Sequence, residues 1–392
     1  QTPVLAAISR RYRERENHIS SDSWPIYISL QKDGILFKMR RTQDLPDKES
    51  ATMFFQDCKL SHQAQITGIS HSVKEILPPD LLDLTQLQKE ANIRYGYTAS
   101  EVYDIAQSLY EKKLISYPRT SSRYLTEDVF DSLPPIMARL LSWELFPAAK
   151  GTGGIDISNL SRHVISAEKA NVHHAIIITG IRPGNLSEKE MQVYRLVAGR
   201  MLETFMAPCR IETTNVEAVC AAQHFKAEQT RIIEAGWHDV FMRSDMVPKS
   251  GYSVNELPEV EKGDNLNVCG CNMVHKKELP VDPFTDAELV EYMELNGLGT
   301  VSSRTNIIRT LVNRKYIRYS GKYIVPTPKG MFTYETIRGK KIADTSLTAD
   351  WEKQLTGLES GMITGQDFLN RIRTLAKEMT DDIFNTYSTK EE

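Results

Sequence analysis

The chain has 392 residues, too many for one ordinary hydrophobic core, so roughly two to four domains are expected. Hydrophobic residues make up 41% and charged residues 25%, the profile of a soluble globular protein, and no apolar run approaches the ~18–20 residues a membrane span needs. The net charge of −3 argues against a uniformly basic nucleic-acid coat. The cations are unevenly placed, however: "RRYRER" carries Arg10, Arg11, Arg13 and Arg15. The segment from Val301 to Val325 holds Arg304, Arg309, Arg314, Lys315, Arg318 and Lys322 with no acid. Local basic stripes of this kind resemble phosphate-tracking surfaces, although a solvated face is the commoner meaning of a charge run.

Five scattered cysteines (Cys58, Cys209, Cys220, Cys269 and Cys271) argue against a disulfide framework and for a reducing compartment. "CGC" at 269–271 has no second pair, so small strand residues are expected there, not a zinc site. The opening "QTPVLAAISRRYRER" lacks the order of a signal peptide, and the chain reads as starting at a domain boundary.

Residues 4–16 have helical spacing, with Val4, Leu5, Ile8 and Tyr12 on one face. From Trp24 to Ile76 the pattern changes to alternating runs ("PIYISL", "GILFKMR", "AQITGIS"), with Asp33-Gly34 marking a hairpin, so antiparallel sheet is expected. Two helices follow up to Leu114. Thr98 and Glu101 form a capping-box pair, and Val102, Ile105, Ala106 and Leu109 form the buried stripe. More helix, a glycine-rich "KGTGG" loop at 150–154 and a strong helix opened by Ser187 and Glu190 complete a helical block. Alternation returns from Cys209 to Val268, so the helical block reads as an insertion into a sheet domain. After Pro280 the outline is helix from Thr285, turn at Asn296-Gly297, helix over 302–313, then a hairpin around Ser320-Gly321. That is the outline of a winged-helix unit. A last helix pair includes Trp351, Leu355 and Leu358.

The chemistry points to "LISYPRTSSRYLTED" at 114–128. A residue before proline is pushed out of the α region, so Pro118 forces Tyr117 out of the preceding helix onto a stiff loop. A free phenol titrates near ~10 and is a poor nucleophile at neutral pH. A nearby guanidinium favours the phenolate and can hold a phosphodiester, and Arg119 is placed for both. Thr120, Ser121 and Ser122 can donate to phosphate oxygens. The plain alternative is a half-buried structural tyrosine. Two more stretches bear on the choice. "VHHAIIITG" places His173 and His174 before an apolar run. "NGLGTVSSRTNIIRTL" places Gly297 and Gly299 before a helix N-terminus that carries Thr300, Ser302, Ser303 and Arg304, an arrangement suited to an anion.

Together these stretches resemble type IA DNA topoisomerases, particularly the bacterial topoisomerase III branch. "LISYPRTSS" is similar to the family's I-[ST]-Y-P-R-T-D-S, "VHHAIIITG" to D-H-H-A-I-I-P-T, and "GLGTVSSRTNII" to G-[IL]-G-T-P-[AS]-T-R-A-x-I-I. "QTPVLA" matches the end of G-R-V-Q-T-P-T-L-A, and the resemblance runs through essentially the whole chain in family order.

The resemblance implies an α+β multidomain toroid. In it, 1–20 with 277–392 make a winged-helix-like base, 21–76 with 208–276 a sheet-rich antiparallel arch, and 77–207 an inserted helical domain carrying the catalytic tyrosine. It implies Tyr117 as the nucleophile that forms a 5′-phosphotyrosyl link without ATP, and Arg119 as the group steadying the phosphoryl charge. Gln1, Thr120, Ser122, His173, His174, Ser303 and Arg304 are implied to contact DNA or to hold that network together. The expected partner is single-stranded DNA, with a helicase or single-strand-binding protein as further partners and a cytoplasmic, nucleoid-associated location in a bacterium.

Three departures qualify the match. The family's Toprim domain, whose glutamate and D-x-D aspartates bind Mg²⁺, has no counterpart in this sequence, so the chain alone is expected to bind DNA weakly without cleaving it. Ser121 stands where the family has aspartate, and Val172, Ile178 and Val301 replace Asp, Pro and Pro. The cysteine-rich zinc tail of some relatives is absent from the sequence. One rival reading is a metal-dependent relaxase, which needs two histidines separated by one residue; adjacent His173 and His174 would face opposite sides of a strand. The other is a non-catalytic winged-helix scaffold, which leaves Tyr117-Pro118-Arg119 without a role.

Overall fold

A computed structural model of the chain describes residues 1–143, 145–146, 155–170, 173–241 and 249–388. The 150–154 loop and Val172 lie outside the described residues.

Helix α1 (Thr2–Glu16) opens the chain with Pro3 in its first turn, where a missing N–H costs no hydrogen bond. The strands then build a closed barrel. In chain order they are β1 (Asp22–Ser23), β2 (Ile26–Lys32), β3 (Ile35–Arg41), β4 (Gln63–Ile76), β5 (Cys209–Cys220), β6 (Gln223–Glu234), β7 (Asn265–Met273) and β8 (Lys276–Lys277). Six of them close in the order β2-β3-β6-β5-β4-β7, all antiparallel. Alternate residues fill the interior, among them Ile26, Ile28, Leu30, Phe37, Met39, Ile66, Val216 and Phe225. The predicted hairpin forms at Asp33 (φ 50°) and Gly34 (φ 82°), a two-residue turn whose left-handed backbone matches strand twist.

The stretch read as continuous sheet between Trp24 and Ile76 contains a helix, α2 (Lys48–Leu60). Its N-cap Asp47 accepts a hydrogen bond from the Ser50 amide at 2.7 Å. Only Ala51 and Cys58 of this helix are buried, so it carries no broad apolar stripe to betray it.

The helical region comprises α3 (Leu84–Tyr95), α4 (Ala99–Glu111), α5 (Glu127–Asp131), α6 (Leu133–Ser142) and α7 (Glu188–Phe205). Both predicted capping boxes form, Thr98 with Glu101 on α4 and Ser187 with Glu190 on α7. Val102, Ala106 and Leu109 of α4 pack into one core with Leu87, Ile115, Ile176, Tyr194 and Val197.

The remaining unit has a winged-helix order: α8 (Asp286–Leu295), α9 (Val301–Asn313), β9 (Ile317–Ser320), β10 (Tyr323–Pro326) and α10 (Pro328–Ile337). An isolated bridge between Thr285 and Tyr323 adds a third short strand to the wing. Helices α11 (Thr345–Glu359) and α12 (Gly365–Ser388) follow; Trp351 and Leu358 are half-buried and Leu355 is exposed.

The winged unit and the helical region interlock. Ala99, the first residue of α4, lies in the core formed by Val4, Ile8, Leu289, Met293 and Ile308. Val301, from α9, packs in return on the helical core.

Candidate active site

Tyr117 sits on the loop that leaves α4 and is half-buried, a ring neither sealed in the core nor free in solvent. Its backbone neighbours are held by a short ladder to the 173–179 stretch. The Ser116 amide donates to the Ile177 carbonyl at 2.8 Å, and Thr179 N–H donates to Leu114 O at 3.1 Å. The Ser116 hydroxyl donates to Ala175 O and accepts from the Ile177 amide, both at 3.0 Å. This ladder brings the two motifs together: the Tyr117 and His173 ring centroids are 4.5 Å apart, tilted by 47°. Tyr110, near the end of α4, meets Tyr117 edge-on at 5.4 Å. His173 is exposed, so one edge of the pair is open to an incoming chain.

Arg119 points along α4. Its guanidinium lies 5.0 Å from the Tyr103 ring centre, and Nη2 donates to Gln107 Oε1 at 3.2 Å. Its Nε is buried without a hydrogen-bond partner, an uncommon state for a charged donor. Sequence reasoning missed Tyr103, Gln107 and Tyr110, the α4 residues that seat Arg119 and Tyr117. Their i, i+4 and i+7 spacing on the helix that precedes the motif is the signal that could have found them.

Thr120 and Ser122 do not offer free hydroxyls. Both are buried; Thr120 Oγ1 donates to His173 O at 3.0 Å and accepts from the Ser122 amide at 3.0 Å. Ser122 Oγ accepts from the Tyr124 amide at 3.1 Å and lies 3.4 Å from Tyr124 O. These residues therefore hold the loop, because alternate positions after Pro118 turn inward. Ser121 is exposed. His174 is half-buried, with Nδ1 2.7 Å from the Ala175 carbonyl oxygen.

The third motif meets the first two at the opening turn of α3. Thr120 O accepts from the Leu84 amide at 3.1 Å, and Arg123 Nε donates to the buried Asp83 at 2.7 Å. One residue on, Thr85 Oγ1 accepts from Arg304 Nη1 at 3.1 Å. Arg304 is 8% exposed, and its Nε donates to Gly299 O at 3.2 Å, with Glu294 3.5 Å from Nη1. Arg304 is thus folded back to tie α9 to α3. Ser303 completes a capping box with Thr300, accepting from its amide at 2.9 Å. Gly299 has φ +78°, and a Cβ there would lie 2.8 Å from Ser303 Oγ, so the tight entry to α9 requires glycine. Gln1 is exposed, and its carbonyl accepts from Leu5 N at 3.0 Å to begin α1.

Comparison with known proteins decides what this assembly belongs to. A family model described as DNA topoisomerase matches residues 1–370. The chain belongs to the type IA DNA topoisomerase family. Among relatives of this topoisomerase chain, "DNA topoisomerase 3" of Bacillus licheniformis is 29% identical over 408 residues, covering 98% of this chain and 56% of that protein. "DNA topoisomerase 1" of Methanocaldococcus jannaschii is 30% identical over 394 residues, covering all of this chain and 50% of that protein. The chain thus spans about half the length of these relatives. Full-length topoisomerase I from Thermotoga maritima superposes with a TM-score of 0.73 at 22% identity, covering 96% of this chain and 62% of that one, which establishes the shared fold.

Among the described residues, no group of three or more His, Cys, Asp or Glu side chains is arranged to hold a metal ion. None of the described helices is long and apolar enough to cross a membrane.

Proposed function

We propose that this chain carries the nucleophile-bearing part of an enzyme that cuts, passes and reseals single DNA strands. Tyr117 Oη attacks the phosphorus of a phosphodiester and gives up its proton. The P–O3′ bond breaks, the 3′ oxygen leaves and takes up a proton, and the 5′ phosphate stays bonded to Tyr117. Reversal by the 3′ hydroxyl reseals the strand, and because the phosphotyrosyl bond conserves the energy of the broken one, no ATP is needed. The observation that carries this reading is the half-buried Tyr117 ring packed on exposed His173, on a loop that hydrogen bonds from Ser116 and Thr120 tie to the 173–179 stretch.

Arg119 supplies positive charge to the phosphoryl oxygens. Its guanidinium is only half-buried and is seated two residues from Tyr117 by Gln107 and Tyr103, which supports this role. His173 contacts the strand from the open side. Thr120, Ser122, Ser303 and Arg304 act by holding the two motifs against α3, and His174 and Gln1 line the approach.

The Mg²⁺-binding module that the family resemblance implies would be supplied from elsewhere, and on this reading the 392-residue chain by itself binds single-stranded DNA without cutting it. Incubating the chain with end-labelled single strands and Mg²⁺ should give retarded complexes that dissociate fully in detergent. Efficient detergent-resistant adduct formation by the chain alone would refute that division of labour. In the intact protein, Tyr117→Phe should abolish relaxation of supercoiled DNA while strand binding stays within about twofold.

A further inference from the structure

The basic residues of 301–329 fall into two groups that the sequence does not separate. Arg304 is buried and Arg309 partly exposed, and both are engaged by neighbouring helices. Arg304 bonds Thr85 of α3; Arg309 donates to Ser100 Oγ at 2.9 Å and to Asp104 Oδ2 at 2.8 Å on α4. Arg314, Lys315, Arg318 and Lys322 are exposed and make no ion pair with any described residue. They cluster where α9 ends and the β9–β10 wing projects, and Lys329 joins them by donating to Arg314 O at 3.0 Å. From Val301 to Asn313, α9 rises about 18 Å, so this cluster stands well away from the Tyr117 loop, which is linked through the opening turn of α3 to the other end of α9.

A winged-helix unit commonly lays its second helix into a DNA major groove. Here that mode is blocked. Helix α9 is held against α3 and α4 by Arg304 and Arg309, and Val301 is packed on the helical core, so the helix cannot enter a groove only about 12 Å wide. What remains free is the wing and the C-terminal end of α9, whose exposed side chains are cations and small polar groups; the one nearby carboxylate, Asp282, is already held by Arg15 and Tyr323, though it also feels Lys322. Four unpaired cations on a chain of net charge −3 call for a dense polyanion. They lie at the end of α9 and on a hairpin whose short strands fix their spacing, so they fit the regular phosphate ridge of a duplex better than a flexible single strand.

We infer that the wing, through Arg314, Lys315, Arg318 and Lys322, is a second nucleic-acid site that grips duplex DNA by its phosphates without reading sequence. It is separate from the Tyr117 site and does not depend on the chemistry assigned there. The wing holds double-stranded DNA at about one helix length from the place where a single strand would be cut.

The test uses the 392-residue chain and two fluorescent probes, a 24-base-pair duplex and a 24-nucleotide single strand, titrated over a range of salt concentrations. Arg318→Ala with Lys322→Ala removes two hairpin cations whose side chains touch nothing in the core. The expected result is a slope of log affinity against log salt for the duplex that is shallower by about 2, and an affinity at least tenfold lower at low salt. Single-strand affinity should stay within twofold, and the melting temperature should be unchanged. Duplex affinity and slope equal to those of the unmodified chain would overturn the inference. So would equal losses for both probes, because the cluster would then be a continuation of the single-strand path. Tyr117→Phe should leave duplex binding untouched, so failure of the Tyr117 chemistry and failure of the wing site give different results.

Discussion

The Tyr117 loop and the entry to α9 look alike in sequence, each a turn followed by hydroxyls and an arginine, yet they do opposite things in the fold. The loop presents: the Tyr117 ring is half-exposed against His173, and the Arg119 side chain is half-buried beside it. The α9 entry and its surroundings hold: Ser303 is engaged in a capping box, Arg304 is buried against Thr85 and Gly299, and Asp286 accepts from the Ala99 amide at 3.2 Å and the Tyr319 hydroxyl at 3.1 Å. A reactive side chain on a loop is only as well placed as the groups that fix the loop's neighbours, and here those groups come from a stretch nearly 200 residues away.

Four substitutions break or sharpen that contrast. Removing Arg304 should have the largest effect on stability, because Arg304→Ala strips Gly299, Thr85 and Glu294 of a buried cation. A loss of roughly 3–5 kcal/mol is expected, toward the lower figure since Glu294 retains some solvent, read from chemical denaturation. If Arg304 were an anion-binding group, its removal would instead leave stability nearly unchanged and weaken DNA binding.

Asp286 sharpens the holding side through pH. Burial lifts its carboxyl from the ordinary aspartate range to about 6. A raised value means that the folded state favours the protonated form. The contribution of this group is therefore fully present below about pH 4 and is lost as pH rises through about 6. The span corresponds to roughly 3 kcal/mol. Asp286→Asn should remove this slope from a plot of melting temperature against pH between about 4 and 7; an unchanged slope would place the titration elsewhere.

Thr120→Val should cost about 1–3 kcal/mol, because it leaves the His173 carbonyl and the Ser122 amide without their shared hydroxyl. A Thr120 that served phosphate directly would show the reverse, intact stability and weaker binding. His173→Ala should have the smallest effect on stability, below about 0.5 kcal/mol, since the ring is exposed, while reducing covalent adduct formation in the intact protein.

Much of this arrangement was legible in the sequence. Capping boxes at Thr98 and Ser187 and the hairpins at Asp33-Gly34 and Ser320-Gly321 rest on local chemistry, and they form. The three motifs could be picked out because a proline, a histidine pair and two glycines constrain backbone or chemistry over a few residues. What stayed hidden depends on partners far along the chain. Closure of the barrel pairs β2 with β7 across roughly 240 residues and β4 with β7 across about 200. The β5–β6 turn uses Ala221 and Ala222 with positive φ, a conformation that alanine does not advertise. Which hydroxyls after Pro118 turn inward, and which arginines of the basic stripe are used internally, follow from the position of α3, which no short-range pattern gives.

The central claim is that the Tyr117 oxygen becomes bonded to a severed 5′ end. The most direct measurement is to trap the intact protein on an internally ³²P-labelled single strand in detergent, digest the adduct with protease and nuclease, and sequence the labelled peptide. The account predicts one peptide from the 114–123 loop, modified at Tyr117 through a 5′ phosphate, and no labelled peptide from Tyr117→Phe. Label on another residue, or a bond to the 3′ end of the break, would contradict it.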